Sequence, residues 1–257
     1  MSKKVYAIKE GFDSINNIKV ENIIVNTWNE CLGYVNGVKG AKYKSFESTE
    51  KAENYLRDDN KLLKKGLDSY PLECAHAYVD GSYNEATGRY SYGLIISKKD
   101  VIEYVEAGSA IDDSERALRQ IAGELKASVR AVEYAACNRE KDIVIFHDYE
   151  GIYHHAVGTW ERKEESSKNY YETINNIKIR NDINIIFVKV DSHTGDLNNE
   201  IVDELAKYAA GLNSTGVVKT WLNNKTIMVK DKKVKDYLSK IAGDNSENII
   251  TQDNKNV

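Results

Sequence analysis

The order of apolar patterns between residues 76 and 211 leaves few folds open to this chain. HAYVDGSY (76–83) alternates aromatic and aliphatic residues and runs into Asp-Gly-Ser, the wording of a strand that ends in a turn. RYSYGLIISKK and DVIEYVEAG (89–108) are two further alternating runs joined by a Lys-Lys-Asp turn, the wording of a hairpin. The period then changes: Leu118, Ile121, Leu125, Val129 and Val132 form a helical stripe within residues 113–136, with Asp113 or Ser114 as N-cap. A short apolar run, DIVIFHDYEG (142–151), leads into a helix from Tyr149, and INIIFVKV (183–190) is a further buried strand. The last helix lies in SHTGDLNNEIVDELAKYAAG (192–211), is closed by Gly211, and is expected to turn Leu205, Tyr208 and Ala209 inward. Strands that alternate with helices pair in parallel, whereas a hairpin pairs antiparallel. The expectation is an α/β fold with a mixed five-stranded sheet flanked by helices.

Four acids stand at chosen points of this pattern. Asp80 and Asp148 are expected at the C-terminal ends of strands, Glu124 on the border of the buried face of a helix, and Asp203 on the last helix. A phosphodiester is anionic and resists water, so its hydrolysis needs an activated nucleophile and a stabilised leaving oxygen. Two divalent cations about 3.5–4 Å apart supply both, and hard carboxylate oxygens suit magnesium or manganese. Each acid alone has an ordinary explanation as a turn residue, a cap or a solvated helix position. Together they suggest a two-metal site.

In the motifs YVDGS, AGEL, HD and NEIVDELA, residues 76–211 resemble the ribonuclease H type 1 family. The resemblance implies a ribonuclease H-like fold and an endoribonuclease. Such an enzyme hydrolyses the RNA strand of RNA–DNA hybrids with two Mg2+ ions, for which Mn2+ can substitute, and leaves 5'-phosphate and 3'-hydroxyl ends. It assigns metal binding to Asp80, Glu124, Asp148 and Asp203, with Asp80 bridging the ions. It also makes His193, in SHTG, an auxiliary group for proton transfer or product release. From spacing alone His193 reads equally as a surface-loop histidine. The resemblance puts Gln120 near the hybrid minor groove, where a solvated helix glutamine is the other reading. Two departures stand out: Tyr149 and Glu150 follow the third acid where a small polar residue is common, and residues 154–170 are short and mixed in charge instead of a long basic insertion.

Substrate affinity is then expected elsewhere. VYAIKEG, TWNEC, VKGAKYKSF and the AENYL helix resemble the small α+β hybrid-binding domain, related to a caulimovirus inclusion-body protein module, that precedes many ribonucleases H. A Thr27–Glu30 capping box opens its first helix, whereas strand boundaries in FDSINNIKVENI (12–23) are undefined. The resemblance assigns hybrid contacts to Trp28, Tyr43 and Lys44, with Lys42 a further candidate; Trp28 also reads as packing in a small core. Residues 66–211 carry a net charge of −10 and each flank +3, a distribution that concentrates cations in the middle of the chain. The expected organisation is a hybrid-binding domain (1–58), a linker (59–73) holding the sole proline, Pro71, a catalytic domain (74–211) and a C-terminal extension (212–257). In that extension a hairpin turns at Asn223 and Asn224, a helix covers DKKVKDYLSKIAG, and the polar end beyond Gly243 is disordered.

With 257 residues, 41% hydrophobic and 30% charged, there is material for one substantial core and a satellite domain. No run is apolar enough to span a membrane and no signal-peptide core follows the Lys-rich start, so a cytoplasmic protein without membrane association is expected. Cys31, Cys74 and Cys137 are widely spaced and suggest neither disulfides nor zinc, and adjacent His154 and His155 diverge on a helix. The RNA–DNA hybrid is the expected partner, and no obligate protein partner is evident.

Overall fold

The computed structural model describes residues 4–57, 62–111, 120–161, 164–191 and 195–252. The chain divides into two compact units, Met1–Lys61 and Leu62–Val257. In the smaller unit, strands β1 (Val5–Asp13), β2 (Ile18–Val25) and β3 (Lys42–Phe46) form an antiparallel sheet in the order β2-β1-β3, with helices α1 (Trp28–Val35) and α2 (Thr49–Arg57). Alternate residues of β1 feed two small cores. Val5 and Ala7 pack with Ala52 of α2, and Ile8 packs with Cys31 and Val35 of α1. The expected capping box is present: the Glu30 N–H donates to Thr27 Oγ1 at 3.2 Å and the Glu30 carboxylate accepts from the Thr27 N–H at 3.0 Å.

The strand boundary left undefined at residues 12–23 is set by Asp13. Its carboxylate accepts from the N–H groups of Ile15 and Asn16, and Asn17 takes a positive φ of 54°, so the chain reverses and β2 begins at Ile18. Exposed Lys19, Glu21 and Asn22 hide this edge strand from a periodicity reading.

In the larger unit the expected five-stranded mixed sheet forms the centre of a wider one. Its members are β5 (Ala75–Asn84), β6 (Arg89–Lys98), β7 (Val101–Ile111), β8 (Asp142–His147) and β9 (Asn184–Lys189). β5, β6 and β7 run antiparallel, while β8 pairs in parallel with β5 and β9. The β6–β7 turn holds Lys99 and Asp100 at φ of 49° and 63°, the left-handed pair that a two-residue hairpin requires. Helices α3 (Gln120–Cys137), α4 (Gly151–Ala156) and α5 (Glu165–Asn181) supply one core, in which Leu125, Val132, Ile152 and Ile174 meet Val79, Leu94 and Ile145. Helix α6 (Leu197–Ala210) supplies the other, where Ile201 and Leu205 meet Tyr78, Ile95 and Phe146.

Three strands extend this centre, and two of the expected boundaries change as a result. From Leu62 onward the supposed linker is folded: β4 (Leu63–Lys64) pairs with β9, and Tyr70 packs edge-on against Phe146 at 5.2 Å. Two residues suffice to cap a free parallel edge, too few for a periodic signal. The C-terminal extension is also structured through Gln252. Instead of a hairpin at Asn223 and Asn224, α7 (Val217–Leu222) buries Val218 and Leu222, an i,i+4 pair, before β10 (Ile227–Val229) pairs with β7. The expected helix is α8 (Lys232–Ala242), capped by Asp231. The segment expected to be disordered forms a 3-10 turn over Gly243–Asn248 and then β11 (Ile249–Thr251), which pairs with β10 and buries Ile249 within a polar run. Tyr208 is exposed on α6, contrary to expectation, while Leu205 is buried. The Leu118 position and the proposed N-cap at Asp113 or Ser114 lie outside the described residues.

Candidate active site

Two close helix approaches build the site. Gly123 of α3 lies so near the sheet that a Cβ there would sit 1.9 Å from the Ser91 carbonyl oxygen and 3.1 Å from the Gly81 Cα. On the other face, a Cβ at Gly93 of β6 would meet the Val202 carbonyl oxygen of α6 at 2.3 Å. Gly93 is the register partner of Asp80. Glycines therefore admit both helix backbones to the sheet at the level of Asp80, delivering Glu124 from one side and Asp203 from the other.

Asp80 itself is not at a strand end. β5 continues through the Asp-Gly-Ser wording to Asn84, because its full ladder with β6 outweighs the turn tendency of those residues. Asp148 directly follows β8, as expected. Asp80, Glu124 and Asp148 each offer an oxygen within 4.8 Å of the others'. Asp80 is 8% exposed and Glu124 4%, and Glu124 Oε2 is buried with no hydrogen-bond partner among the described residues. Burial, then the charges of Asp148 and Asp203, push Asp80 well above the usual carboxylate range. The Gly81 N–H, donating to Asp80 Oδ1 at 2.7 Å, and the Lys207 ammonium pull the other way. Burial also raises Glu124 well above its usual range, with Asp80 and Asp148 adding to it. Buried like charges of this kind call for cations.

Asp203 is buried and accepts from Lys207 Nζ at 2.6 Å, one helical turn on. Sequence reading passed over Lys207, although its i,i+4 spacing from Asp203 is a visible signal. It also passed over His147, fully buried one residue before Asp148. Burial lowers the His147 imidazole to about 4, so the ring is neutral at pH 7, and its Nδ1–H donates to the Tyr149 carbonyl at 2.9 Å across the Asp148 turn. The departure at Tyr149 is accommodated by Gly151: a Cβ there would fall 2.2 Å from the Tyr149 ring. Glu150 is ion-paired with Lys189. His193 and the Gln120 side chain lie outside the described positions.

In the smaller unit Trp28 opens α1 and is 41% exposed, so it does not fill a core. Its ring contacts Tyr6 at 5.5 Å and Tyr43, 43% exposed, at 5.9 Å. Side chains alternate along β3, so Lys42 and Lys44 leave it on the face opposite Tyr43. Lys42 pairs with Glu10 at 2.5 Å, and the Lys44 ammonium lies 5.9 Å from the Phe46 ring centroid. The two aromatic candidates are thus together and the two lysines apart from them.

The mixed central sheet, the helices on both faces and the carboxylate pocket define a ribonuclease H-like α/β protein. Residues 73–211 match the family described as RNase H, and residues 4–56 match the Ribonuclease H1 N-terminal domain. The first of these matches spans just over half of the sequence, and the chain belongs to the RNase H family. A Ribonuclease H of Saccharomyces cerevisiae is 37% identical over 65 residues, 25% of this chain and 16% of that protein, so only a minor part of that relative's length is spanned. RNase H1 from the halophilic archaeon Halobacterium salinarum is 20% identical, with a TM-score of 0.45 over 53% of this chain and 97% of that one. LC11-RNase H1, solved in complex with an RNA/DNA hybrid, is 20% identical, with a TM-score of 0.45 over 53% of this chain and 96% of that one.

Proposed function

We propose that the chain is a divalent-metal-dependent endoribonuclease that hydrolyses the RNA strand of RNA–DNA hybrids and leaves 5'-phosphate and 3'-hydroxyl ends. The observation that carries this reading is the meeting of Asp80, Glu124 and Asp148, from three separate elements, within 4.8 Å in a largely buried pocket. The donor set fits hard cations: every candidate ligand is a carboxylate, and the orphaned Glu124 Oε2 is an oxygen in need of a positive partner. Asp80, Glu124, Asp148 and Asp203 would hold two Mg2+ ions, with Mn2+ as a substitute. Bound there, the ions would supply an activated water and charge stabilisation of the leaving oxygen.

The chain's own residues do the rest. Lys207 holds the Asp203 carboxylate in place on α6. The neutral His147 fixes the turn that presents Asp148. His193 assists proton transfer or product release, and Gln120 reads the hybrid minor groove. Residues 1–58 form a hybrid-binding domain in which exposed Trp28 and Tyr43 stack on the nucleic acid; Lys42 and Lys44, on the opposite face of β3, are not part of that stacking surface. Residues 74–211 form the catalytic domain, with folded additions on both sheet edges. No helix among the described residues is long and apolar enough to cross a membrane; a cytoplasmic location belongs to the same reading.

The direct test incubates the purified chain and Mg2+ with end-labelled RNA–DNA hybrid, double-stranded DNA and single-stranded RNA. Cleavage confined to the RNA of the hybrid, giving fragments that ligase accepts without prior phosphorylation, is expected. Equal cutting of duplex DNA, or intact hybrid at every metal concentration, would defeat the reading.

A further inference from the structure

We propose that Lys65 is a positioning residue that, with Lys64 beside it, fixes both ends of the segment joining β9 to α6. The inference rests on the functional reading above, in which that segment carries the auxiliary His193.

Two consecutive lysines grip the chain on either side of residues 192–194. Lys64 Nζ lies 2.9 Å from Asp191 Oδ2, just past β9, and Lys65 Nζ is ion-paired with Asp196 at the start of α6. Asp196 occupies the N-cap position of α6, where an aspartate ordinarily accepts from the first turn of its own helix. Its side chain makes no such bond. It is directed instead to the Lys65 ammonium, a use that helix capping does not explain.

Lys65 is itself held on several sides. Its N–H donates to the Lys189 carbonyl at 2.9 Å, tying it to β9, and its ammonium donates to Tyr78 Oη at 2.6 Å. The same ammonium lies 4.7 Å from the Tyr78 ring centroid and 5.1 Å from that of Phe146. Burial works against its charge, yet the bonds to Asp196 and Tyr78 leave its pKa raised. Tyr78 and Phe146 stack at 4.3 Å, with 10° between their planes. Tyr78 is two residues before Asp80 on β5, and Phe146 two residues before Asp148 at the end of β8, so the aromatic pair is the next step down the same strands from two of the candidate metal ligands. One ammonium therefore joins the strands that present Asp80 and Asp148 to the helix that presents Asp203. Truncating either partner of this part-buried pair strands the other charge.

The test uses the full chain with Lys65→Met, which keeps an unbranched stem of similar length and removes the charge, and Lys65→Arg, which keeps it. Each is made in the native and the His193→Ala backgrounds. Lys65→Met is expected to lower kcat on the hybrid about tenfold at unchanged KM, with Lys65→Arg recovering most of the loss. In the His193→Ala background the same change is expected to cost less than about twofold, since coupled residues are not additive. Amide exchange over residues 190–200 should quicken in Lys65→Met and return towards native in Lys65→Arg. Asp196→Asn is a second route to the same loss and guards against misfolding of Lys65→Met. Equal losses in both backgrounds, or unchanged exchange over 190–200 in both Lys65→Met and Asp196→Asn, would overturn the proposal. If the unaltered chain leaves hybrid uncut, the functional reading fails instead, and exchange still reports the clasp on its own.

Discussion

The two units present their candidate functional groups in opposite ways. In the larger, carboxylates are driven together in a pocket where they repel, and the scaffold has to enforce that geometry with helices pressed onto bare glycines. In the smaller, Trp28 and Tyr43 lie on the surface, beside one another and without strain. Chemistry at a phosphodiester depends on placement at the scale of an ångström, whereas sequence-tolerant stacking needs only exposed aromatic faces. The division teaches that catalytic and docking losses should separate cleanly between the units. The largest expected effect tests this first. Asp148→Asn is expected to reduce hybrid cleavage in single-turnover assays by about 10^3-fold, while hybrid binding measured by fluorescence anisotropy stays within about twofold. A parallel collapse of binding would mean that the acidic pocket also does the docking.

Glycine substitutions sharpen the contrast on stability. Gly123 and Gly33 both lie inside helices, one in each unit. A Cβ at Gly123 would strike the Ser91 carbonyl, and a Cβ at Gly33 meets nothing within 4 Å among the described residues. Gly123→Ala is expected to destabilise the larger unit by about 3 kcal/mol as α3 is forced off the sheet. Gly33→Ala should stabilise the smaller by about 0.5–1 kcal/mol through helix propensity. Urea unfolding of the full chain, followed by a probe in each unit, reads both.

Next in size is docking. Trp28→Ala is expected to weaken hybrid binding by about tenfold, the value of roughly one stacked base, with kcat at saturating hybrid unchanged. A fall in kcat at saturation would break the separation of roles, and no change in binding would remove Trp28 from the docking surface.

The same contrast explains what could be read in advance. The central strands, the α3 stripe and α6 announce themselves by period, because each buries a continuous face. Asp148 could be located because a strand of six residues has a visible end. Asp80 could be chosen but not placed: Asp-Gly-Ser carries turn chemistry locally, and only pairing with β6 keeps it extended. β4, β10 and β11 are two or three residues long, and their pairing partners lie far away in sequence, so no local pattern marks them. The side-chain partners Lys207, His147 and Lys65 were missed for a related reason. Lys207 had a helical spacing that could have been used, whereas the bonds of Lys65 to Tyr78 and Asp196 exist only once β4 has been seated against β9.

The smallest expected effect concerns pH and metal in the larger unit. The pKa values of Asp80 and Glu124 are raised in the folded state above their ordinary values. Groups of this kind favour the fold when protonated, so their contribution is present below the ordinary carboxylate range and is lost as pH rises through their raised folded values. Without metal, the pair therefore makes the protein less stable at pH 7 than it would be on mild acidification. His147 opposes this. Its folded pKa is lowered to about 4, so its contribution falls away as pH drops below the ordinary histidine value. The two effects separate by difference, because a double variant, Asp80→Asn with Glu124→Gln, keeps His147 and removes the raised acids. In metal-free buffer the double variant is expected to melt about 2–4 °C above the native chain at pH 7, and the gap should shrink as pH falls towards 5. Added Mg2+ should raise the melting temperature of the native chain at pH 7 and leave the double variant nearly unmoved. The acids of the smaller unit provide the control: Glu10 and Asp13 are lowered by Lys42 and by Asn16 respectively, and neither is buried. Neutralising either should leave the metal response intact. A metal response that survived in the double variant would place the cation site away from Asp80 and Glu124.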